Sequence, residues 1–223
     1  ATVVAFTLSD SALKIDDTAT VTLQFSEAVA GFSSDADVTV QNGSLATMTS
    51  SDNITWTGAF TPSSDVEDAT NVMSLATSYT DTAGNAGPSA TTDNYAIDTI
   101  RPTVAAFTMS DTALISGETS TVTLQFSEAV ASFSSSADIT VENGSLATMT
   151  SSDNITWTGT FTPTSSVEDA TNVLTLATSY TDTAGNIITW ATVTSGSNAG
   201  VTVTVQEPDG TTTSYTLPYQ DNQ

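Results

Sequence analysis

The sequence has no cysteine, no histidine and only two basic side chains, Lys14 and Arg101, against 25 acidic ones. Without cysteine or histidine there is no disulfide, no thiol nucleophile, no Ser-His-Asp triad and no thiolate or imidazole metal site. Two cations cannot line a phosphate-binding groove, so neither nucleic acid nor an anionic membrane surface is an expected partner. Long apolar runs are missing too: no stretch approaches the roughly 18 residues needed to span a bilayer, so membrane insertion is not expected. The formal net charge of −23 lies far outside the magnitude of about 2–8 that suits a small domain. Either the fold tolerates strong self-repulsion, or mobile or bound cations offset it.

What is present is polar and β-prone. Serine and threonine make up about a third of the 223 residues, and threonine favours strands and loops over helices. The chain starts at Ala1 without a visible signal peptide and reads as a processed or excised piece of something longer. Self-comparison exposes a repeat. Residues 2–85 match residues 103–186 at a constant offset of 101 without gaps, with about four-fifths of positions identical. The stretch NGSLATMTSSDNITWTG occurs twice unchanged, at Asn42–Gly58 and Asn143–Gly159. A period near 100 is too long for a solenoid unit and suits one sandwich domain.

Each repeat reads as all-β. Val21, Leu23 and Phe25 alternate with Thr22 and Gln24, and Ile54, Trp56, Gly58 and Phe60 alternate with Thr55, Thr57 and Ala59, the period of a half-buried strand. Asn42-Gly43 predicts a tight hairpin. Seven strands are expected, near 3–8, 18–25, 36–40, 44–49, 54–61, 71–79 and 92–98. The expected core is Phe6, Val21, Leu23, Phe25, Phe32, Val38, Val40, Leu45, Ile54, Trp56, Phe60, Leu75, Tyr79 and Tyr95. This predicts two tandem immunoglobulin-like β-sandwich domains, residues 1–100 and 101–192, followed by a C-terminal β-hairpin tail over 193–223. The repeats part after Asn186. Ile187–Thr194 is expected to replace the last strand of the second domain, and Gly200–Gln206 and Thr211–Leu217 flank Pro208-Asp209-Gly210 as a hairpin.

LSDSALKIDDTATVTLQFSEAV, TSSDNITWTGAFTP, VEDATN, SYTDTAGNAG and the closing IDTIRPT together resemble bacterial Ig-like repeats. Such repeats occur in long surface adhesins, including RTX-type adhesins, and in virion proteins of marine phages. The resemblance covers about residues 2–186 and implies a spacer or adhesion role. It also implies rigidification by calcium, as in adhesin repeats of this kind.

Carboxylates are the only plentiful reactive groups. Glu67-Asp68 and Glu168-Asp169 have the composition of a glycosidase acid and base, but they recur at equivalent places in both repeats, which argues for a structural role. Calcium takes hard oxygen ligands. In a sandwich of this strand order, Asp16, Asp17, Glu67 and Asp68 are expected at the pole of domain 1 that meets the connection, and the connection itself carries Asp98. Glu128, Asp182 and Asn186 are expected at the facing pole of domain 2. The candidate metal ligands are therefore Glu67, Asp68, Asp98, Glu128, Asp182 and Asn186, around an interdomain calcium, with Arg101 as an alternative neutralising charge. No EF-hand loop or GGxGxD run is present. Trp56 and Trp157 read as core aromatics. Arg101-Pro102 sets an extended connection.

No catalytic residue is assigned, and the chain is read as non-enzymatic. The expected function is a tandem spacer and adhesion module at the bacterial cell surface. The alternative is a phage virion surface protein attached through its tail, and a carbohydrate-binding module is the third reading. The expected partners, reached through residues 187–223, are neighbouring repeats of a longer chain or other chains of a virion.

Overall fold

The computed structural model describes residues 1–188 with their side chains, and the strands at 191–196, 201–206 and 212–217 by their backbone alone. The chain forms two compact units, Ala1–Ile100 and Arg101–Gln223. Among the described residues both are all-β apart from one helical turn each.

In the first unit the strands are β1 (Val3–Leu8), β2 (Ala12–Leu13), β3 (Ala19–Phe25) and β4 (Val29–Ala30), then the helical turn α1 (Ser34–Asp37). There follow β5 (Val38–Thr39), β6 (Gly43–Leu45), β7 (Thr55–Pro62), β8 (Glu67–Asn71), β9 (Ser74–Leu75), β10 (Thr80–Asp81), β11 (Ala90–Thr91) and β12 (Tyr95–Asp98). One sheet runs β1-β3-β7-β6; the other side is built from β11-β9-β5 and β2-β12-β8, with β10-β4 as a short pair. The alternation in β3 works as expected: Ala19, Val21, Leu23 and Phe25 are buried and the residues between them are not. Phe25, Phe32 and Tyr79 form a ring cluster with centroids 5.1–6.0 Å apart, and Trp56 joins through Phe32 at 4.9 Å. Tyr95 brings the closing strand into the same core, edge-on to Phe60 at 5.3 Å.

The second unit repeats this plan with β13 (Val104–Met109), β14 (Ser120–Phe126), β15 (Val130–Ala131), α2 (Ser135–Asp138), β16 (Ile139–Val141), β17 (Gly144–Leu146) and β18 (Thr156–Pro163). It continues with β19 (Val173–Leu176), β20 (Thr181–Asp182), β21 (Ala191–Gly196), β22 (Val201–Gln206) and β23 (Thr212–Leu217). Its first sheet, β13-β14-β18-β17, copies that of the first unit, and its second runs β16-β19-β21-β22-β23. The tail hairpin is thus an antiparallel pair, β22 with β23, added to the edge of that sheet. The turn expected at Pro208-Asp209-Gly210 lies outside the described residues.

Three expectations change. Of the stretch Ile187–Thr194, residues 191–194 lie in β21, which pairs with β19 where β11 pairs with β9 in the first unit and so does not replace the last strand; residues 189–190 lie outside the described residues. Asn42-Gly43 is not a hairpin: β5 pairs with β9 while β6 pairs with β7, so the chain crosses there from one sheet to the other. Asn42 supplies the required positive φ of 50°, and its side-chain amide donates to Asp68 Oδ2 and Asn71 Oδ1. Gly43 is needed for a different reason, because a Cβ there would stand 2.3 Å from the Phe60 ring and 2.6 Å from the Thr61 carbonyl. The core also shifts. Leu13, Val29, Met48, Met73 and Ile97 are buried, whereas Val38, Val40, Leu45, Ile54 and Trp56 are only half-buried.

Gly144 faces Phe161 in the same way. Gly43→Ala and Gly144→Ala should each cost about 2 kcal/mol through overpacking, read as a lower urea midpoint at unchanged m-value. An unchanged midpoint would show that the ring and backbone give way freely.

Candidate functional site

Each unit folds one acidic loop onto a short strand pair. In the second unit, Val130 and Asp182 are register partners in β15 and β20, which brings Glu128 beside the loop Asp182–Asn186. Carboxylate oxygens of Glu128 and Asp182 lie within 4.8 Å of each other. Asp182 is buried. Its Oδ1 accepts from the backbone N–H groups of Gly185 (2.7 Å) and Asn186 (2.8 Å), and its Oδ2 accepts from Asn186 Nδ2 at 2.8 Å. Gly185 allows the tight turn with φ of 95°. Arg101 donates from Nη1 to the carbonyl of Ile187 at 2.8 Å, next to this loop.

The first unit carries the same arrangement in Glu27, Asp81 and Asn85, which the 101-residue offset marks as the counterparts of Glu128, Asp182 and Asn186. Asp81 Oδ1 accepts from the N–H groups of Ala83 and Asn85, and Asn85 Nδ2 donates to Oδ2 at 2.9 Å. Both carboxylates approach the backbone nitrogen of Ala1, which lies 2.8 Å from Glu27 Oε1 and 3.3 Å from Asp81 Oδ2. The side-chain amide and backbone N–H of Asn85, helped by Ala1 and Ala83 against the opposing effect of burial, hold the Asp81 carboxyl at about 2 rather than 3.8.

The remaining candidates belong to the first unit. Asp98 and Glu67 are register partners at the end of β12 and β8, and Asp98 Oδ1 accepts from the N–H of Ile100 at 3.2 Å. Asp68 follows Glu67 along a strand and so points to the opposite face. Its Oδ1 accepts from Thr70 and its Oδ2 from Asn42. Asp169 is held likewise by Thr171 and Asn143. These hydrogen bonds make Asp68 and Asp169 turn-forming groups inside their own units. Asp17 pairs with Lys14 at 2.8 Å, which lowers the Asp17 carboxyl, and Asp16 occupies the turn at φ of 65°.

A family model described as a bacterial Ig-like domain matches residues 1–97 and again residues 98–205. The chain belongs to the bacterial Ig-like domain family. Comparison with curated proteins returns no match. Bacterial Ig-like domains are in general structural and adhesion modules, and enzymes are not typical of the family. The carboxylates described above fit that character: most are fixed by backbone N–H groups and amides, as ligands of turns or of a hard cation are.

Asp81 gives a signed pH dependence. Its carboxyl is lowered in the folded state, so its contribution is complete above about pH 4 and is lost as pH falls towards about 2. Melting temperature should fall across that window, and Asp81→Asn should flatten the fall. Parallel profiles for the two proteins would show that Asp81 does not carry it.

Proposed function

We propose that the chain is a spacer segment of a large bacterial surface adhesin. The observation that carries this reading is the near-duplication: one sandwich, repeated at about four-fifths identity, with consecutive copies joined through the short stretch Asp98–Thr103. Tandem repetition of this kind extends reach, and strong acidity keeps neighbouring copies soluble and apart. Strands β22 and β23 favour a second reading. A hairpin added to a sheet edge offers a surface for attachment, as a virion surface protein fixed to its particle by its C-terminal region would need. Immunogold labelling separates the two. Label on intact cells of the source culture supports the adhesin, label on purified virions supports the second reading, and label confined to the cytoplasm contradicts both.

Calcium belongs to this proposal. Glu128, Asp182 and Asn186 supply hard oxygens in one loop cluster of the second domain. Glu67 and Asp98, register partners of β8 and β12, supply carboxylates in the first domain. A divalent cation held by Glu128 and Asp182 would offset their mutual repulsion. In millimolar calcium the melting temperature should rise by several degrees and fall back with EDTA, and Glu128→Gln combined with Asp182→Asn should abolish the rise. A melt indifferent to calcium and EDTA would end this part of the account.

A further inference from the structure

The two bacterial Ig-like domains differ most at one place. In the first, β12 runs between β2 and β8, parallel to one and antiparallel to the other. Tyr95 and Ile97 of this strand are each 1% exposed. The Tyr95 hydroxyl donates to the Gln41 carbonyl at 2.7 Å, and its carbonyl accepts from Asn71 Nδ2 at 3.1 Å. The N–H of Ala96 donates to the carbonyl of Ser11 at 2.8 Å. Thr99, just beyond, ties the strand to Ser63 and Val66.

In the second domain the 101-residue offset sets Gly196, Ser197, Asn198 and Ala199 against Tyr95–Asp98. That sequence has neither the aromatic nor the β-branched residue. Residues 191–196 lie in β21, and the chain goes on through β22 and β23 in the other sheet. Among the described residues no strand takes the place of β12, and residues 113–114 and 168–172, the counterparts of β2 and β8, form no strand. A cleft of about 430 Å³ lies there instead, lined by Met109, Leu114, Phe161, Val167, Asn172 and Leu174. Leu114 is half-buried where its counterpart Leu13 is fully buried, and Val167 is 45% exposed. Phe161 is the counterpart of Phe60, the ring against which Tyr95 packs.

We propose that this cleft is a strand acceptor. Its occupant is an extended segment of a partner polypeptide with the pattern aromatic, small, β-branched aliphatic, acidic that Tyr95–Asp98 carries. The first domain shows how the same walls bind that pattern: main-chain pairing on both sides supplies affinity, and alternate side chains entering an apolar slot supply selectivity. Burial of the two large side chains drives the insertion. The inference rests on the fold of the second domain and holds for an adhesin and a virion protein alike.

The test uses the full chain and a fluorescently labelled synthetic peptide with the sequence of residues 92–100. Saturable one-to-one binding by anisotropy is expected. A peptide with serine in place of both its tyrosine and the first of its two isoleucines should bind at least about tenfold weaker, a loss of about 1.4 kcal/mol or more. The variant Val167→Glu, at an exposed position, should weaken binding to a similar degree while its melting temperature stays near that of the parent. Absence of saturable binding, equal binding of the serine peptide, or indifference to Val167→Glu would overturn the proposal. So would binding that appears only in a chain ending at residue 217, since the cleft would then belong to this chain's own C-terminus.

Discussion

Tyr95 and Ile97 enter the first sandwich from a strand only four residues long, and two segments are organised by their arrival. β2 and β8 are strands because β12 lies between them and pairs with both. Leu13, the register partner of Ile97, is buried, and Asn71 turns inward to bond the strand's backbone. Where the matching residues are Gly196 and Asn198, the flanking segments are not strands and the apolar walls remain as a cleft. Closure therefore depends on two side chains in the last strand more than on any residue of the wall, since those wall residues are largely shared by both repeats.

The parts of the fold that are legible in the sequence are those that depend on local alternation and on the repeat. Val21, Leu23, Phe25 and Phe60 declare their strands because each inward residue is flanked by threonine, glutamine or a small residue. Met48 is buried as well, but it stands alone between threonines, so no period announces it. Asn42-Gly43 carries a turn signal and makes a turn, yet the pairing around it is set by the Phe60 ring and by the sheets on either side, which no local pattern encodes. Asp37 and Asp138 are buried within single helical turns and bonded to the hydroxyls of Ser78 and Ser179, partners 41 residues away that only the tertiary fold supplies.

The acidic loops were legible in the same uneven way. Asp182 and Asn186 stand four residues apart in DTAGN, and their hydrogen bonds close that loop locally. Glu128 comes beside them only through the pairing of two-residue strands, and Glu27 and Asp81 do the same in the other domain. Asp68 looks like a cation ligand in the sequence because it follows Glu67, but strand geometry sends the two carboxylates to opposite faces. Much of the charge of −23 is thus held in small hydrogen-bonded loops that occur once per domain. Those loops suit the structural character general to bacterial Ig-like domains.

Amide hydrogen exchange at paired positions tests the dependence of closure on the last strand most directly. The N–H groups of Leu13, Asp68 and Asn71 should be protected by β12, while their counterparts at Leu114, Asp169 and Asn172 should exchange at least about a hundredfold faster, a difference of about 2.7 kcal/mol in opening free energy. Equal protection in the two domains would contradict the account, because it would mean that the second sandwich is closed without the strand on which the first depends.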